Sequence, residues 1–132
     1  MKNYVFDAGA LSLLIAGDPR LRPYIDEISK NAAKAYISSV NLAEFYYKTL
    51  EKLGKEVAEA WFFRIVNSLI DVVPVDAYFA REAGFYKSIY KRVLSLADCF
   101  ALALAVKTSS TLLTTDKDFE GIKAVKVKVL EV

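Results

Sequence analysis

Short apolar runs alternate with longer helical stretches along this chain, and that alternation sets the class of fold it can adopt. Lys2–Phe6 reads as a first strand ending at Asp7. Residues 8–16 read as a helix stopped by Gly17. Asp18-Pro19 opens a second helix to about Asn31, with Asp as cap and Pro at the first helical position. Residues 35–38 form the second strand, followed by helices Ser39–Leu53, ended by Gly54, and 55–70. Residues 72–75 are the third strand. Asp76 caps a helix to about Arg92, and Ser95 opens another to about Thr108. Thr111–Thr114 and residues 125–130 complete the strands. Strands separated by helices imply an α/β fold, one parallel sheet covered on both faces.

Two strands carry edge signatures. Pro74 cannot donate a ladder bond, which predicts an edge for 72–75. Lys126 and Lys128 alternate with valines, giving one wet face and a charged edge. The third and fifth strands should therefore flank a centre made of the first, second and fourth. In such sheets the site lies beyond the carboxyl ends of the strands.

At 132 residues the chain reads as a single domain, residues 1–132, with no repeat or linker. A hydrophobic content of 55 % is ample for a packed core. Residues 1–17 resemble a signal peptide, but Asp7 interrupts the apolar stretch. The longest uncharged apolar run, 99–106, is too short for a membrane span. The expectation is a cytoplasmic protein without a membrane anchor. The absence of Gln, with only four Asn, points to a thermophilic source.

The chain has no His and one Cys, Cys99. That excludes Ser-His-Asp and Cys-His catalysis, His-ligated zinc and an internal disulfide. Carboxylates remain, and these suit hard cations such as Mg²⁺ or Mn²⁺. Four acids fall near the expected strand ends: Asp7, Glu44, Asp98 and Asp116, with Asp118 two residues on. Each has a structural explanation. Asp7 and Asp116 can cap helices or turns, Glu44 has Lys48 at i+4, and Ser95-Leu96-Ala97-Asp98 has a capping-box pattern. Their surroundings argue for more. Asp98 opens a helix apolar on nearly all sides, and Glu44 sits among Leu42, Phe45 and Tyr47. Acids gathered at one sheet end repel unless a cation offsets them. A phosphoacceptor receiver domain also carries acids above a parallel sheet, but needs an acid pair after the first strand. Asp7 stands alone there, and Asp76 has a cap's position.

Four strings in order give the chain a family resemblance: Tyr4-Val5-Phe6-Asp7-Ala8-Gly9-Ala10, Ile37-Ser38-Ser39-Val40-Asn41-Leu42-Ala43-Glu44, Leu96-Ala97-Asp98-Cys99-Phe100-Ala101-Leu102-Ala103 and Leu112-Leu113-Thr114-Thr115-Asp116-Lys117-Asp118-Phe119. The chain resembles the PIN-domain ribonucleases over essentially its whole length, and is most similar to the small VapC-type toxins of prokaryotic type II toxin–antitoxin modules. The resemblance implies a three-layer α/β/α sandwich with a five-stranded parallel sheet in the order 3-2-1-4-5. It implies that Asp7, Glu44, Asp98 and Asp116 are catalytic and bind Mg²⁺ or Mn²⁺, for metal-assisted hydrolysis of RNA. Ser38 and Thr114 match the family's auxiliary hydroxyls, and Asp118 could reach a second ion through water. Asn41 departs from the family's usual Ser or Thr. A cognate antitoxin that blocks the site and a homodimer are the implied partners. A housekeeping PIN nuclease and a silent RNA-binding scaffold are the alternatives.

Lys87, Lys91, Arg92 and Lys117 are candidate RNA contacts. Consecutive aromatics at Phe45, Tyr46, Tyr47 and at Trp61, Phe62, Phe63 cannot all face one core, so some should be exposed or covered by another chain, the alternative being a wide buried face. Net charge is only +2, yet 18 cations stand against twelve acids once the four site candidates are set aside, a balance of +6. A basic shell around an acidic pocket suits a polyanion.

Overall fold

The first strand, β1 (Lys2–Phe6), shows how the layers arise. Tyr4 and Phe6 point into one core and Val5 into another, so the strand is buried on both faces. A computed structural model describes residues 1–132. β1 is the centre of a five-stranded parallel sheet with β2 (Ala33–Ser38), β3 (Ile70–Val73), β4 (Thr111–Thr114) and β5 (Val127–Val129). The order is β3-β2-β1-β4-β5, as expected.

One face is covered by α1 (Ala8–Ile15), α2 (Arg22–Ser29), α3 (Ser39–Leu53) and α4 (Lys55–Val66), whose buried residues include Leu11, Ile28, Phe45 and Ile65. The other is covered by α5 (Ala77–Ile89) and α6 (Leu96–Thr108). In α6 every residue from Cys99 to Ala105 is buried. Cys99 is a free thiol inside this layer. No helix is long and apolar enough to cross a membrane.

Several boundaries differ from the sequence reading, each for a local reason. The helix expected from Pro19 to Asn31 is two pieces. Pro19–Leu21 is a 3₁₀ turn capped by Asp18, and α2 starts afresh at Arg22 with Pro23 in its first turn. The helix expected to reach Ile70 stops at Val66. Ser68 Oγ donates to the Ile65 carbonyl at 2.7 Å and accepts from Ile70 N at 3.1 Å, turning the chain and releasing Ile70 to the sheet. Ile70 then pairs with Ala35, so β3 starts two residues earlier than expected. β3 is an edge strand, but Pro74 lies just beyond it rather than inside it. β5 is shorter than expected, and Lys128 keeps its wet-face position.

The α6 layer is the test of this packing. Leu102→Ala removes a side chain with no exposure, and should cost about 2–5 kcal/mol in urea unfolding. Lys128→Ala on the wet edge should cost less than about 0.5 kcal/mol.

Candidate active site

Asp7 leaves β1 where the sheet ends. Its N–H donates to the Leu113 carbonyl at 3.2 Å, so the ladder to β4 runs up to the site. Its side chain caps α1 by accepting from Ala10 N at 2.8 Å, and it accepts the Thr114 hydroxyl proton on Oδ2. Only 6 % of Asp7 is exposed. No cation pairs with it. Burial pushes its carboxyl up to about 6, against the two hydrogen bonds, and Asp98 and Glu44 push the same way.

The other acids arrive by separate routes. Asp98 occupies the third position of α6, where its Oδ2 accepts from Ser95 N at 3.0 Å while Ser95 Oγ accepts from Asp98 N. Burial raises the Asp98 carboxyl above its usual range, and Asp116 and Glu44 add to this. Asp116 follows β4. Its N–H donates to Thr114 Oγ1 at 2.9 Å, and its Oδ1 accepts from Asp118 N at 2.8 Å. Glu44 is two turns into α3 and pairs with Lys48 at 3.1 Å. Every structural role foreseen for these acids is filled. All four nevertheless line one open cleft of about 930 Å³ at the carboxyl end of the sheet, together with Asp118 and Lys117.

Thr114 and Ser38 are buried, but neither is a bystander. Thr114 Oγ1 joins Asp7 to the backbone of Asp116, fixing two acids through one atom. Ser38 caps α3 by accepting from Asn41 N at 3.0 Å and donates to Asn41 Oδ1. Asn41 Nδ2 then donates to the Ala97 carbonyl at 3.1 Å. This unforeseen bridge ties α3, which carries Glu44, to the first turn of α6, which carries Asp98. Gly9 is a second such position. A Cβ there would meet Thr115 Oγ1 at 2.0 Å, so the loop carrying Asp116 approaches α1 only because residue 9 has no side chain.

The basic residues divide. Lys117 lines the cleft and meets Glu131 at 3.7 Å. Lys87, Lys91 and Arg92 do not line it. Lys87 Nζ instead donates to the carbonyls of Lys91 and Leu94, at 3.1 and 2.8 Å, and so holds the α5–α6 loop. Lys48, Lys52 and Trp61 do line the cleft, and the sequence reading left them out of the site. The four-residue spacing of Glu44, Lys48 and Lys52 on one helix was the available signal.

The donor set fits a hard divalent cation: oxygen ligands only, with one buried carboxylate that makes no ion pair. No three of the acids stand close enough together to grip one ion unaided. Each is drawn to a bond of its own, to a cap or to Lys48. An ion bound here would have to complete its shell with water.

The fold is shared with known proteins. The profile of the PIN domain family matches residues 4–125. The chain belongs to the PIN domain family. Among solved structures, a chain of VapBC2 from Rickettsia felis, bound to a promoter DNA fragment, superposes with a TM-score of 0.77 at 18 % identity, covering 98 % of this chain and 99 % of that one. A chain of a toxin–antitoxin complex from Klebsiella pneumoniae gives 0.71 at 23 %, covering 98 % and 99 %. VapC20 of Mycobacterium tuberculosis, a toxin that cleaves the sarcin-ricin loop, gives 0.69 at 20 %, covering 93 % and 98 %. These likenesses establish the PIN fold. No curated protein matches the chain in sequence.

Two outcomes follow from the site's geometry. The folded Asp7 carboxyl titrates near 6 rather than its usual 3.8, so the fold binds this proton more tightly than the unfolded chain does. Its contribution is therefore full below pH 4 and is lost as pH rises to about 6, by roughly 3 kcal/mol. In EDTA, Asp7→Asn should flatten that slope and raise the melting temperature at pH 7. An unchanged pH profile would contradict the assignment. Gly9→Ala should be destabilising, by about 1–3 kcal/mol in urea unfolding, and Thr115→Ala should relieve part of the loss.

Proposed function

We propose that this PIN domain is a Mg²⁺- or Mn²⁺-dependent endoribonuclease acting as the toxin of a toxin–antitoxin pair. The observation that carries this reading is the convergence of Asp7, Glu44, Asp98 and Asp116 in one cleft, around a buried carboxylate with no cation of its own. Asp7, Asp98 and Asp116 would hold the ion directly or through water, and Glu44 would bind it or orient a water. When bound, the ion supplies Lewis acidity toward phosphate oxygens and acidifies a water.

The protein's own residues do the positioning. Thr114 keeps Asp7 turned to the cleft and sets the backbone at Asp116. The Ser38–Asn41–Ala97 chain fixes Glu44's helix against Asp98's helix. Lys48 balances Glu44 and faces the space an anionic substrate would enter. Asp118 extends the acidic rim and would reach a second ion only through water.

Partner surfaces support the toxin reading. Phe45 is buried and stacks on Trp61, with ring centroids 6.3 Å apart, while Tyr47 and Phe63 are exposed on the same helix pair. Phe85 and Ile89 of α5, Val93 of the following loop and Leu96 at the start of α6 are exposed apolar residues as well. We assign one of these surfaces to an antitoxin and the other, from α5 to the start of α6, to a second copy of this chain. The structurally similar protein from Klebsiella pneumoniae is itself part of a toxin–antitoxin complex.

The decisive assay is RNA cleavage by the purified protein with Mg²⁺, Mn²⁺ or EDTA. Cleavage should require the metal and fall at least about a hundredfold in Asp7→Asn and Asp98→Asn. Mn²⁺ should also raise the melting temperature of the parent but not of Asp7→Asn. Parental activity in both variants would overturn the assignment.

A further inference from the structure

The cleft holds a second chemistry that the four carboxylates do not use. Glu44, Lys48 and Lys52 follow one another at four-residue intervals on α3, a row advancing about 6 Å per step. All three line the cleft. Lys48 is half-exposed and pairs with Glu44, whereas Lys52 makes no ion pair. Trp61 of α4, the only tryptophan of the chain, forms the wall beside this row and is braced from behind by Phe45.

A row that begins at acids and continues as cations matches a chain of phosphates. One phosphate sits at the carboxylates and the next lies along the helix toward Lys52. A lone phosphate would need no row. A duplex would keep its bases stacked away from Trp61, while a single strand offers them to an aromatic wall. Lys91 and Arg92 lie outside the cleft.

We propose that Lys48, Lys52 and Trp61 form a flanking-nucleotide subsite for single-stranded RNA, with the ammonium groups on the phosphate next to the one at the carboxylates and the indole against a base. This subsite rests on the ribonuclease reading above and adds to it the residues that hold the flanking nucleotide and the side from which the strand is held.

The test reads binding without cleavage. A ten-nucleotide oligouridylate, with and without a 5′ fluorophore, is titrated into the full chain in EDTA and in Ca²⁺. Trp61 fluorescence and probe anisotropy are followed. The parent should bind with quenching of Trp61. Lys52→Ala should weaken binding at least about fivefold, and the slope of log Kd on log salt should become shallower by about 0.7. Lys48→Gln should do the same without losing helix length. Trp61→Ala should weaken binding about tenfold, with Trp61→Phe, which keeps the stack on Phe45, in between. Lys91→Ala and Arg92→Ala should bind as the parent does.

Failure of the parent to bind in either buffer, or unchanged affinity and salt slope in both lysine variants, would overturn the subsite. Equal weakening by Lys91→Ala and Arg92→Ala would overturn it too. So would polyglutamate of equal charge binding as tightly, since the cleft would then be an acidic-peptide face. Loss of these binding effects leaves metal-dependent cleavage standing, and absence of cleavage with these effects intact would count against the ribonuclease reading alone.

Discussion

The hydrogen bond from Thr114 to Asp7 joins the two central strands at the point where the sheet stops and the acidic cleft starts. It satisfies a buried carboxylate that would otherwise be still more costly to ionise. Through the same oxygen it fixes the backbone of Asp116. Two acids 109 residues apart in the chain are thus held by one side chain. The bond depends in turn on β1 and β4 being neighbours, and that adjacency depends on α6 closing the sheet's second face.

The cleft is held at a cost in local electrostatics. Asp7 and Asp98 are both raised by burial, and each is raised further by other acids of the group. Compact proteins do not gather carboxylates for stability, and the only cations lining this cleft are Lys48, Lys52 and, at the rim, Lys117. The helix caps allow the arrangement, because each acid contributes a stabilising bond to its own element. The same side chains therefore serve the fold and remain grouped for a cation. Opposed demands of this kind are expected where a site works.

Much of this was legible in the sequence. Alternating strand and helix segments gave the layers, and the edge lysines with the four strings in order gave the sheet. The absence of histidine pointed to carboxylates and hard cations before any geometry was known. The errors were local. Ser68 ended α4 early by a side-chain bond to the backbone, a choice that helical periodicity does not register. Pro23 restarted a helix that seemed continuous. Lys87 looked like a phosphate contact because it lies near basic residues, but it spends its donors on two loop carbonyls.

The sequence by itself determined the edge strands through residue type, and four strings in fixed order carried the family resemblance, with its sheet order and its four candidate acids. Only the tertiary structure decided what surrounds each acid. Gly9 admits Thr115, Asn41 reaches Ala97, and Lys52 and Trp61 share a wall with Glu44. These contacts join residues from separate elements. They are set by how helices pack over the sheet, and spacing along the chain carries no record of that packing.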